Sequence, residues 1–139
     1  QRKIVQSIVI QEIGTAAVRD LPRLQDFLRD NGMLDSCMEQ VRIRNGAPRR
    51  QAIMALGAMR MPEAIIPLSD ALDDWQFDTR VAAVRGLGQT KLPEAAEPII
   101  DSLMVGGLKV PEDTVSNALA HCYADRPEAI LPFLRRSRG

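Results

Sequence analysis

One six-residue phrase occurs three times and sets the frame of the chain: Pro62-Glu63-Ala64-Ile65-Ile66-Pro67, Pro93-Glu94-Ala95-Ala96-Glu97-Pro98 and Pro127-Glu128-Ala129-Ile130-Leu131-Pro132. The copies start 31 and then 34 residues apart, and self-similarity at such a period marks stacked helical repeats. A second element keeps the same offset of 31: residues 48–57, Pro-Arg-Arg-Gln-Ala-Ile-Met-Ala-Leu-Gly, match residues 79–88, Thr-Arg-Val-Ala-Ala-Val-Arg-Gly-Leu-Gly. Each unit therefore reads as a helical hairpin. The Pro-Glu-Ala phrase opens a first helix, a short turn follows, and a second helix ends in Leu-Gly.

The prolines have a mechanical reading. Proline is tolerated in an opening turn, where its missing N–H would lack a partner anyway, and a glutamate beside it favours the positive end of the helix. A second proline five residues on predicts a short 3₁₀ lead-in, with the main helix starting near Pro67, Pro98 or Pro132. In the second helices Ala52, Ala55, Ala83 and Gly86 stand where bulkier residues would be expected. Glycine inside a helix costs about 1 kcal/mol relative to alanine, so Gly86 implies a packing reason. The third unit aligns if it is five residues longer through Gly106-Gly107-Leu108-Lys109-Val110-Pro111 and two shorter before its Pro-Glu-Ala. That register puts Val115, Ala118, Leu119, Cys122 and Tyr123 on the core positions of Thr79, Ala82, Ala83, Gly86 and Leu87.

Residues 1–32 fall outside the repeat. Ile4, Val5, Ile8, Val9 and Ile13 predict one helix stopping near Gly14, and Asp20 before Leu21-Pro22 signals the N-cap of another that ends near Asn31-Gly32. The pair reads as an N-terminal cap on the first repeat. A third helix is expected from Met33 to about Ile43. Residues 33–136 form the repeats and 137–139 a polar tail, all within one domain.

Composition supports helices: apolar residues make up 45% of the chain but aromatics only 4%, favouring close-packed helices over a β-sandwich. Eighteen basic residues balance eighteen acidic ones, whereas a nucleic-acid binder usually carries a basic excess. Cys37 and Cys122 form neither a disulfide framework nor a zinc spacing; two buried thiols in a reducing compartment are expected. No apolar run is long enough to span a bilayer.

Thr79-Arg80-Val81-Ala82-Ala83-Val84-Arg85-Gly86-Leu87-Gly88, followed by Leu92-Pro93-Glu94-Ala95, resembles the bacterial HEAT repeat of the phycobilisome-lyase-like type. The resemblance covers roughly residues 33–136. It implies an all-α, armadillo-like α-solenoid whose second helices line a concave face, and a binding scaffold as its usual role. The Val-Arg opening survives in part as Thr79-Arg80 and Pro48-Arg49 and is missing at Val115-Ser116, so a ladder of arginines is not expected to reach the last unit. Some members are enzymes. Deoxyhypusine hydroxylase is similar in fold but needs paired His-Glu motifs, and this chain has a single histidine. Bilin lyases are another branch. The layout is also similar to small bacterial HEAT proteins tethered by one N-terminal membrane helix, which implies a cytoplasmic domain and an inner-membrane anchor upstream of Gln1.

On a helical wheel Arg50 and Met54, Val81 and Arg85, and Asn117 and His121 point away from the core and should form a strip along the concave face. Adaptable Met and bidentate Arg suit a partner helix or an acidic peptide; the plain reading is a solvated face. Trp75 and Phe77 are either binding anchors or plugs between helices. Asp70, Asp73, Asp74 and Asp78 lack an EF-hand pattern, so N-capping by Asp78 and solvation are expected of them. Arg42, Arg44, Arg49 and Arg50 are the one basic concentration, the feature a DNA-lesion binder would use. His121 has no second ligand near it in sequence, so no metal is expected. No phosphate loop, nucleophile elbow or triad is present.

The sequence thus predicts a short α-solenoid with an N-terminal capping pair. Its expected role is a non-catalytic scaffold, without cofactor, that binds another protein through Arg50, Met54, Val81, Arg85, Asn117 and His121 or through Trp75 and Phe77. The alternative is a bilin-lyase-like or DNA-lesion-binding HEAT domain.

Overall fold

The computed structural model describes residues 2–15 and 18–138, and the described residues form nine α-helices, five short 3₁₀ turns and no strand. In chain order the helices are α1 (Arg2–Thr15), α2 (Leu21–Asp30), α3 (Met33–Ile43), α4 (Gly46–Ala58), α5 (Ile65–Asp70), α6 (Phe77–Gln89), α7 (Ala96–Val105), α8 (Glu112–Cys122) and α9 (Ile130–Arg138). No described helix is long and apolar enough to cross a membrane. Of the expected tail, Ser137 and Arg138 continue α9, and Gly139 lies outside the described residues.

The three proline phrases do what their chemistry predicts. Pro62–Ala64, Pro93–Ala95 and Pro127–Ala129 are 3₁₀ turns, and α5, α7 and α9 follow each of them directly. Those helices start two residues before the second proline, which therefore lies in the first turn, where its missing N–H costs no intrahelical hydrogen bond. The second helices do not end at Leu-Gly. α4 and α6 run one residue further, and each is closed by a left-handed residue, Arg60 and Lys91, both at φ 56°. The amides of Arg60 and Lys91 donate to the carbonyls of Gly57 and Gly88.

Glycine serves a different purpose here, because α4 packs on α6 and α6 on α8 more extensively than any other pair of elements. A methyl group at Gly57 would lie 2.7 Å from the Cα and carbonyl oxygen of Gly86, and one at Gly88 would lie 2.8 Å from the Cα of Ala118. Both seams therefore approach to backbone contact. Ile53, Leu56, Leu68, Ala83, Val84, Leu87 and Ile99 fill the core with no exposed surface. Val115, Ala118 and Cys122 are buried, with Leu119 and Tyr123 packed against them, as the register of the third unit requires.

The N-terminal pair packs less completely. α1 touches α2 and α4, and α2 touches α3; Val9 and Ile13 are buried while Ile4, Val5 and Ile8 remain exposed. Asp20 stands at the cap of α2 but makes no side-chain capping bond, and a 3₁₀ turn over Val18–Asp20 leads in instead. Ala16 and Ala17, just beyond the predicted stop of the first helix near Gly14, lie outside the described residues.

Side chains stitch the turns that follow the second helices. Gln25 donates to the carbonyls of Met59 and Arg60, Arg29 pairs with Glu63, and Arg126 pairs with Glu94. Arg60 reaches past the neighbouring unit to Asp125, 2.6 Å away.

Candidate protein-binding surface

The six strip residues lie on the outward side of α4, α6 and α8. Met54, Arg85, Asn117 and His121 are exposed; Arg50 and Val81 are half-buried. Arg50 leans to the end of the row, where its Nη1 donates to the side-chain oxygen of Gln76 at 3.4 Å. It thereby joins the strip to the turn between α5 and α6.

That turn is held from beneath by two arginines one repeat apart. Arg49, largely buried, forms an ion pair with Asp74, whose side chain is 7% exposed. The other carboxylate oxygen of Asp74 accepts the amide of Gln76 at 2.8 Å. Arg80 donates to the carbonyls of Asp74 and Trp75 at 3.1 and 3.0 Å, and its Nε donates to the carbonyl of Lys109 at 3.1 Å in the next unit. Ser116 cannot continue this pattern. Asp78 does not cap α6: the helix begins at Phe77 with Gln76 in the cap position, so Asp78 sits in the first turn facing the positive end of the helix dipole.

With its backbone clamped, the turn directs Trp75 outward. Its side chain is 83% exposed, so it does not plug the space between helices. Phe77 is half-exposed and carries the Arg80 guanidinium 5.8 Å from its ring centroid, a cation–π arrangement. Across from Trp75 runs the loop after α7, and between turn and loop lies a cleft of about 660 Å³. Asp73, Asp101, Val105 and Lys109 are among its walls. Met104 and Val105 are 77% and 88% exposed, so the apolar surface here spans two units.

Sequence reasoning singled out Trp75 and Phe77 at this turn and did not single out Asp101, Met104, Val105 or Lys109, which lie near them. The signal was present in the five-residue lengthening at Gly106, because insertions in a repeat map to loops on one face, often the binding face.

Each arginine of the basic concentration has a partner within the fold. Arg42 pairs with Glu39, Arg44 donates to Gln40, Arg49 is spent on Asp74 and Arg50 on Gln76. His121 is exposed, and the described residues contain no group of three His, Cys, Asp or Glu side chains able to hold a metal ion. Cys37 and Cys122 are buried, and their thiols donate to the carbonyls of Ala52 and Leu87. Burial pushes Cys37 up to about 11 and Cys122 up to about 12, so neither is a reactive thiolate at neutral pH.

The model of the HEAT repeats family matches residues 35–106, more than half of the 139. The chain belongs to the HEAT-repeat family. The match begins in α3 and ends at the loop that borders the Trp75 cleft. HEAT repeats commonly mediate protein–protein interaction and are generally non-catalytic. No curated protein matches the sequence.

Proposed function

We propose that this HEAT-repeat domain is a non-catalytic scaffold that binds a partner protein along the outward strip of α4, α6 and α8 and at the Trp75 turn. The observation that carries this reading is the exposure of Trp75 on a backbone immobilised by Arg49, Asp74 and Arg80. A large aromatic on a rigid support loses little conformational freedom on binding, and such residues dominate interface energetics. Arg50 connects it to the strip, where Met54 supplies adaptable apolar surface and Arg85 a bidentate cation.

A DNA-lesion binder would draw on Arg42, Arg44 and Arg50, which already contact Glu39, Gln40 and Gln76, while Arg49 is paired with Asp74. A bilin-lyase-like activity draws no particular residue from the geometry. The phycobilisome-lyase-like subtype and a cytoplasmic domain tethered upstream rest on the sequence resemblance alone.

The test compares the native chain with Trp75→Ala and with an Arg50→Glu, Arg85→Glu double variant, all of verified helicity, as baits for proteins from the source cell. A partner held by the native chain and lost from Trp75→Ala places recognition at the turn, and loss from the double variant places it on the strip. A protein held equally by all three baits, or recovery of nucleic acid or pigment alone, would falsify this reading.

A further inference from the structure

The chemistry of the cleft specifies its ligand. Leu72, Trp75, Val105 and Leu108 give it apolar surface, and carboxylates stand on both walls, Asp73 beside the tryptophan and Asp101 on α7, with Arg80 and Lys109 the cations that line it. Asp70 and Asp78 flank the same turn. All four are exposed, and none has an ion-pair partner among the described residues. The cations nearby are committed or single. Arg80 is held in place by donating Nε and Nη1 to the carbonyls of Asp74, Trp75 and Lys109, and Arg49 is paired with Asp74. Lys109 stands alone on the far rim. The turns after the second helices are arranged otherwise: Glu63, Glu94 and Asp125 each have an arginine.

From this complementarity we infer that the Trp75 cleft docks a peptide segment of a partner protein, in which a bulky apolar side chain is flanked by lysine or arginine. The apolar side chain packs between Trp75 and Val105, and the flanking cations meet Asp73 and Asp101. Opposite charges arranged this way steer encounter and suppress acidic competitors. An anionic phosphate backbone or lipid surface meets repulsion at the same carboxylates. The inference rests on the scaffold reading of the cleft and gives it a ligand class.

Trp75 is the sole tryptophan in the chain, so its fluorescence reports this cleft alone. The experiment pans a phage-displayed random dodecapeptide library on the native protein and on Trp75→Ala. The selected peptides are then synthesised and titrated against the native protein and an Asp73→Asn, Asp101→Asn double variant, following Trp75 emission. The expected peptides require Trp75, carry a large apolar residue beside Lys or Arg, shift the emission to the blue and bind more weakly as salt is raised. Removing the two carboxylates should weaken them by about 2- to 30-fold, the range for two exposed charge pairs. Trp75-dependent peptides that are neutral or acidic, or that bind the double variant as tightly, overturn the basic-ligand inference and leave the scaffold reading intact. Peptides that bind Trp75→Ala equally well, or a library that yields none, remove the cleft as a docking site and the inference with it.

Discussion

Two glycines in helices of similar length show how differently the N-terminal cap and the repeat stack are packed. Gly57 in α4 is buried with the backbone of Gly86 against it, while Gly14 in α1 has no atom within 4 Å of where a methyl would go. The first is required by a neighbour. The second only makes its own helix less stable. Where repeats stack on one another, side-chain size is dictated by the helix in front. Where the chain caps the stack, the packing tolerates exposed Ile4, Val5 and Ile8 and a groove between α1 and the α3–α4 hairpin.

The strongest way to break the contrast is Gly57→Ala. A methyl 2.7 Å from backbone atoms cannot be relieved by rotating a side chain, so α4 and α6 must separate. A loss of about 3 kcal/mol in urea unfolding is expected, the upper part of the usual overpacking range. A change below about 0.5 kcal/mol would show that the seam is looser than described.

The second test uses the thiols packed at the repeat seams. An exposed thiol in the unfolded chain titrates at about 8.5, whereas in the fold Cys37 and Cys122 are held up at about 11 and about 12. Between those limits the unfolded state binds fewer protons than the native one, so stability falls as pH rises. The thiol contribution is fully present below about pH 8 and is lost through pH 11. Urea midpoints at pH 8 and 10.5 should therefore diverge more for the native chain than for a Cys37→Ala, Cys122→Ala double variant. Equal slopes would mean that water already reaches the sulfurs.

The smallest expected effect has the opposite sign. Gly14→Ala should raise stability by roughly 0.5–1 kcal/mol, the helix-propensity difference with no steric cost. A destabilised variant would mean that α1 packs more closely at that point than its surroundings show.

What was legible in the sequence was whatever recurs. The proline phrases imply 3₁₀ lead-ins because proline's missing N–H is harmless only in an opening turn, and Gly86 signals a close approach because nothing else justifies glycine inside α6. What was illegible depends on residues distant in sequence. Arg49 and Arg50 are chemically alike, and only the fold determines that Arg49 is buried on Asp74, 25 residues away, while Arg50 leans on Gln76. The orientation of Trp75 could not be read from its neighbours, because it follows from Arg80 gripping the carbonyls beneath it. Asp78 resembled a cap, but the helix starts one residue before it, and the acid that organises the turn is Asp74. The cleft joins Trp75 to Val105, and its second wall is made by α7 and the lengthened loop that follows it.

Repeat stacks are ordinarily one-dimensional: each unit feels only its neighbours, and the ends fray independently of the middle. The Arg60–Asp125 pair departs from that rule, since it ties the end of α4 to the end of α8 across the intervening unit. Separating α4 from α8 at that edge therefore means breaking an ion pair as well as the two glycine-lined seams, so the outer two helices of the row are coupled to each other directly and not only through α6.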